Sequence, residues 1–151
     1  MTNIKKEKPL LMANLENAIT LALKAHSGQT DKAGQAYILH PLRLMLKFQD
    51  KEEQIVAILH DVVEDSAMTL NTLKENGFSD NIISAIECLT KRDNEDYLHF
   101  VNRVKKNQLA RKVKIEDIKD NMDLKRLNSI TDKDLERITK YHKALNILLD
   151  K

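Results

Sequence analysis

Apolar residues recur at spacings of three and four through most of this chain, which predicts helices with one buried face rather than alternating strands. Over Leu11 to His26, Leu15, Ala18, Ile19, Ala22 and Leu23 share a face, and the helix is expected to end before Gly28. Gly28 to Ala36 is polar and carries two glycines, so it reads as a loop able to approach a ligand closely. The fixed φ of Pro41 suits a first helical turn, giving a helix to about Phe48, and another is expected over Lys51 to Val63. Thr69 caps a short helix that stops at Gly77, and Ser79 caps one that runs through Leu89. Asp93 or Asn94 starts a helix through Lys106, and Asn107 opens a long one carrying Asp117 to near Leu127. Thr131 and Asp134 have capping-box spacing for a last helix to about Leu149. The pattern predicts an all-α, compact multi-helix bundle with no convincing strand.

Composition agrees with this reading, because only two prolines and three glycines occur in 151 residues. That length suits one domain, expected over residues 11–151 after a flexible N-terminal tail at 1–10. Lysine plus arginine number 25 against 23 acids, a net charge of +2, and no basic stripe with interleaved aromatics occurs. Binding to a nucleic-acid polymer therefore gains no support. No apolar run suits a signal peptide or a membrane span, so no membrane partner and a cytoplasmic location are expected. Cys88 stands alone in an apolar segment, which excludes a disulfide framework and suits a buried thiol.

The candidate chemistry lies at the end of the third predicted helix. There the run Ile55-Val56-Ala57-Ile58-Leu59 leads into His60-Asp61, and Glu64 and Asp65 follow about one turn later. With His40 and Asp117, the pair forms a candidate metal site of two imidazoles and two carboxylates. That set suits manganese, iron, cobalt or zinc better than magnesium or calcium. Glu64 and Asp65 are the candidate acid and base beside a water activated by such an ion, an arrangement suited to hydrolysing a phosphate ester or anhydride.

Three blocks carry a resemblance. They are Ala25-His26-Ser27-Gly28-Gln29 continuing through Lys32 to His40-Pro41, then Leu59-His60-Asp61-Val62-Val63-Glu64-Asp65-Ser66, then Val113-Lys114-Ile115-Glu116-Asp117-Ile118-Lys119-Asp120-Asn121-Met122. In these the chain resembles the HD superfamily of metal-dependent phosphohydrolases, and specifically the hydrolase domain of RelA/SpoT-type enzymes that remove pyrophosphate from ppGpp. The resemblance implies an HD-domain bundle, metal ligation by His40, His60, Asp61 and Asp117, typically of Mn2+, and water activation by Glu64 and Asp65. It also implies contact of Asn121 and Lys32 with the nucleotide, and Arg43, flanking His40, is a further candidate for substrate charge. A small stand-alone hydrolase is expected, with a nucleotide as its small-molecule partner and self-association into a homo-oligomer in keeping with the family.

Two positions depart from the family pattern. Asp31 stands where these hydrolases usually place an arginine suited to stacking on a purine, and Asp120 replaces a histidine, adding negative charge near an anion's site. The expected function is ppGpp 3′-pyrophosphohydrolase. The alternatives are an HD phosphohydrolase acting on another nucleotide or phosphorylated metabolite, and a catalytically weak metal- and nucleotide-binding regulatory module.

Overall fold

Asn14 begins the first observed helix, its Oδ1 accepting the Asn17 amide at 2.9 Å. The computed structural model describes residues 13–151, so the expected tail and the expected start at Leu11 lie outside the described residues. Helix α1 spans Leu15–Ala25 and buries Ala18 and Ala22. Leu23, expected on that buried face, is 50% exposed; Leu21 and Ala25 pack against the core instead.

Helix α2, Leu39–Met45, starts two residues earlier than Pro41 suggested and buries His40. Helix α3, Lys51–Leu59, is capped by Asp50 and buries five consecutive residues, Ile55 to Leu59. A helix apolar all round at one end must be surrounded, and α3 contacts α1, α2, α6 and α8. It is the central post of the fold, and truncating one of its large side chains to alanine would cost roughly 2–5 kcal/mol.

The expected helix over Lys51 to Val63 is two helices. α3 stops at Leu59, His60 and Asp61 form a turn, and α4 spans Val62–Asp65. The His60 ring supplies the physical reason, because its Nδ1 lies 2.6 Å from the Ala57 carbonyl and occupies an acceptor that the next helical turn would use. The break turns the His60-Asp61 pair into the interior.

Helices α5, Leu70–Glu75, and α6, Asp80–Leu89, carry the expected caps Thr69 and Ser79. Helix α7 is Tyr97–Lys105, capped by Asp96 rather than Asp93 or Asn94. Asn94 has φ 60° within the preceding loop, a left-handed turn that cannot open a helix. That loop is held by Glu95, whose carboxylate accepts from Arg103 Nε and Nη2 at 3.0 and 2.9 Å.

Helix α8, Gln108–Asn121, is shorter than expected, and a 3-10 turn at Leu124–Arg126 follows it. Helix α9, Asp132–Leu148, has the full capping box between Thr131 and Asp134. Among the described residues the one trace of β structure is an isolated bridge between Thr30 and Ala36, which closes the loop before α2. None of the described helices is long and apolar enough to cross a membrane.

Candidate metal centre

The end of α3, the middle of α2 and the last turns of α8 meet inside the bundle. His40 is 5% exposed, His60 1% and Asp117 4%, so all three polar side chains have left bulk water. Nε2 of His40 lies 2.9 Å from Oδ1 of Asp117 and 3.9 Å from Oδ2 of Asp61. Nε2 of His60 lies 2.9 Å from Oδ2 of Asp61 and 3.4 Å from Oδ1 of Asp117. His40, His60 and Asp61 can each aim one donor atom into a region where all lie within 4.8 Å of one another, and Asp117 joins them through the contacts just given. The structure thus brings together all four residues singled out from the sequence.

The donor chemistry fits a divalent cation. A carbonyl only accepts, so the Ala57 oxygen requires a proton on His60 Nδ1, and the neutral ring's lone pair is then on Nε2. That Nε2 is fully buried and has no hydrogen-bond partner, although two carboxylates stand close to it. A buried lone pair facing anionic oxygens is unfavourable unless positive charge lies between them. A proton or a metal ion supplies that charge. Burial lowers the pKa of both histidines, but Asp61 and Asp117 around His60, and Asp117 and Asp120 around His40, outweigh it and raise both above 6.5. Burial works against the charged forms of Asp61 and Asp117 too, yet their cationic neighbours hold both carboxylates below the usual range.

Further side chains brace the candidate ligands. Tyr37 donates its hydroxyl to Asp61 Oδ2. Lys114 Nζ donates to Asp117 Oδ2 at 2.8 Å while lying over the Phe100 ring, and Asn121 Nδ2 donates to Asp117 Oδ1 at 3.0 Å. His26 and Gln29 meet at 2.8 Å, and Gln29 Nε2 donates to the Asp65 carbonyl at 2.7 Å, tying the Gly28 to Ala36 loop to α4.

Glu64 and Asp65 sit at the solvent side of the centre. Burial and the neighbouring carboxylate of Asp61 raise the pKa of each. Glu64 also borders a depression lined by Lys91 and Arg92. A second cleft, of about 360 Å³, opens beside the candidate metal centre, where Tyr37 and Asn121 form part of its wall. Lys32, Arg126, Arg137 and Tyr141 complete its cationic and aromatic side.

The candidate substrate residues separate in this geometry. Lys32 and Asn121 line the cleft, whereas Arg43 lies outside its lining and is engaged at two points by Asp120. Asp120, the feared extra charge, is matched by Arg43 and His40 and does not face the cleft. Asp31 does line the cleft, but its Oδ1 accepts the amides of Ala33 and Gln35, both at 2.9 Å. Arg137 and Tyr141 were missed by sequence reasoning, because their place in the cleft depends on how α9 folds back over the loop at Lys32. Their signal was only an arginine and a tyrosine four residues apart on a helix.

An all-α bundle with a buried His/Asp centre beside a cationic cleft is the class of molecule that these features define. A solved structure described as a metazoan ortholog of SpoT that hydrolyzes ppGpp shares this fold, with a TM-score of 0.75 over 91% of this chain and 86% of that one, at 18% identity. In sequence, the chain is related to proteins named for ppGpp metabolism. It is 36% identical over 81 residues to the guanosine-3′,5′-bis(diphosphate) 3′-pyrophosphohydrolase of Aquifex aeolicus, covering 51% of this chain and 12% of that protein. It is 34% identical over 83 residues to the bifunctional (p)ppGpp synthase/hydrolase SpoT of Escherichia coli, covering 52% of this chain and 12% of that protein. The chain thus spans about an eighth of the length of these relatives. No family model matches it.

Proposed function

We propose that the chain is a metal-dependent phosphohydrolase acting on a guanosine polyphosphate, with ppGpp as substrate and the 3′-pyrophosphate as the group released. The observation that carries the reading is the buried meeting of His40, His60, Asp61 and Asp117 beside a cationic cleft. Relatives include a bifunctional synthase/hydrolase, so names alone leave two reactions open. The His/Asp centre favours hydrolysis, which needs a water nucleophile and a site for a divalent ion.

His40, His60, Asp61 and Asp117 would hold the ion, and the mixed nitrogen and oxygen set suits Mn2+. When bound, the ion lowers the pKa of water and offsets charge on the phosphoryl oxygens. Glu64 and Asp65 would take the proton of the attacking water and return one to the departing 3′-oxygen. Their raised pKa values bring proton uptake and release closer to neutral pH. Lys32, Arg126 and Arg137 offer charge to the phosphates, Tyr141 offers an aromatic face, and Asn121 links the cleft to Asp117.

Water attacks the phosphorus bonded to the 3′-oxygen, that P–O bond breaks, and the products are GDP and pyrophosphate. Incubating the Mn2+-loaded protein with a panel of nucleotides and phosphorylated metabolites, ppGpp included, tests the assignment by product identity. Turnover of another compound in preference to ppGpp would move the substrate assignment. Tight nucleotide binding without products would replace the enzyme by a binding module.

A further inference from the structure

Both histidines of the centre have Nδ1 engaged, but by different partners. His60 uses the backbone carbonyl of Ala57 at 2.6 Å, which any residue at position 57 would supply. His40 uses a side chain, with its Nδ1 2.6 Å from Oδ2 of Asp120, 80 residues away in sequence. We propose that Asp120 is a positioning residue for His40 and that Arg43 holds Asp120 in place for that task. The inference rests on the metal-site reading above but not on the identity of the substrate.

The ionised carboxylate only accepts, so contact with Asp120 places the proton on His40 Nδ1 and leaves the lone pair on Nε2. Nε2 is the atom turned toward Asp117 and Asp61. A carboxylate behind a metal-binding imidazole restricts ring rotation and strengthens the nitrogen as a donor. Rotation alone would not preserve this arrangement, since a flipped ring would send the other nitrogen to each partner.

Arg43 completes the bracket. Its Nε donates to Asp120 Oδ1 and its Nη2 to Oδ2, both at 2.9 Å, the two-point geometry that fixes a carboxylate plane. Arg126 Nη2 also donates to the Asp120 backbone carbonyl at 3.0 Å. Arg43 lies three residues after His40 on α2, and Asp120 three after Asp117 on α8. The bracket therefore joins the same two helices that carry two of the ligands, immediately behind the centre. This gives the departure at position 120 a role, and it gives Arg43 one other than binding phosphate.

The test compares the wild type with Asp120→Ala, Asp120→Asn and Arg43→Ala as full chains. Mn2+ affinity is measured by chelator competition, and the His40 ring by long-range 1H–15N NMR of the Zn2+-loaded protein, assigned by loss of its signals in His40→Gln. Wild-type His40 should show a protonated Nδ1. Asp120→Ala should weaken Mn2+ by about 10- to 100-fold and shift the His40 ring signals. Asp120→Asn keeps an acceptor oxygen and Arg43→Ala keeps the carboxylate, so both should lose less affinity and retain the Nδ1 proton. Wild-type affinity and unchanged ring signals in Asp120→Ala would overturn the proposal, leaving an ordinary ion pair between helices. If Asp120→Ala does not fold, the wild-type spectrum still decides, because a His40 unprotonated at Nδ1 in the Zn2+-loaded protein contradicts it. Neither readout involves nucleotide, so failure here and failure of the ppGpp assignment are separable.

Discussion

His40 and Asp117 are 77 residues apart in sequence, yet the imidazole Nε2 of one lies 2.9 Å from a carboxylate oxygen of the other inside the bundle. The contact ties α2 to α8 across the end of α3, where His60 and Asp61 complete the centre. Removing any one of these side chains should therefore release the ion and also weaken the packing it links. His60→Ala and Asp61→Ala are expected to lose bound Mn2+ and hydrolytic turnover while keeping a largely helical circular-dichroism spectrum. Metal content and rate surviving either change would remove that residue from the site.

The metal-free protein should show an unusual pH dependence of stability. His40 and His60 have folded-state pKa values raised above 6.5, chiefly because their carboxylate partners outweigh burial. Their stabilising effect is present in full below about pH 6.5 and is lost as pH rises through the raised folded values. Melting temperature without metal should accordingly fall between about pH 6.5 and the alkaline range. Excess Mn2+ should flatten the fall, since the ion binds the neutral rings. A metal-free melting temperature that rises over this interval would contradict the assigned pairings.

Glu64 should act in chemistry rather than in metal retention. Glu64→Gln is expected to keep the ion and lower kcat by about two or more orders of magnitude. Since burial and Asp61 raise the pKa of Glu64 above 4.5, the wild-type rate should decline as pH falls through that raised value and protonates the base. Glu64→Gln should lack that limb. An unchanged kcat would transfer the role to Asp65, tested in the same way with Asp65→Asn.

At Asp31 two effects oppose each other. An arginine at this position would suit stacking on guanine, but Asp31 Oδ1 accepts two loop amides, from Ala33 and Gln35. Asp31→Arg removes both acceptor contacts and should raise KM for ppGpp, whereas Asp31→Asn retains an acceptor oxygen and should stay within about three-fold of wild type, less than about 1 kcal/mol. Improved KM in Asp31→Arg would show that base stacking outweighs the loop's hydrogen bonds.

The helices were legible because their caps and apolar spacing are local. Thr69, Ser79, Asn107 and Thr131 each cap the element predicted for them. His60 and Asp61 were legible because they follow the apolar run Ile55 to Leu59, and His40 and Asp117 because they stand in the other two blocks that carry the resemblance; the structure does bring the four together. The break between α3 and α4 was not, because apolar periodicity continues through Val62 and only the His60 ring's bond to Ala57 interrupts it. The pairing of Arg43 with Asp120 was hidden for a related reason. Each is a charge beside a ligand in sequence, and only the folded chain shows that they neutralise one another.

The central claim is that water cleaves the 3′-pyrophosphate at a centre held by His40, His60, Asp61 and Asp117. Its most direct measurement is hydrolysis of ppGpp by the Mn2+-loaded protein in 18O-water, with products analysed by mass spectrometry. The account predicts GDP without label and pyrophosphate carrying one 18O, with neither product formed by His60→Ala. Release of phosphate from the 5′ side, label in the GDP 3′-hydroxyl, or undiminished turnover in His60→Ala would contradict it.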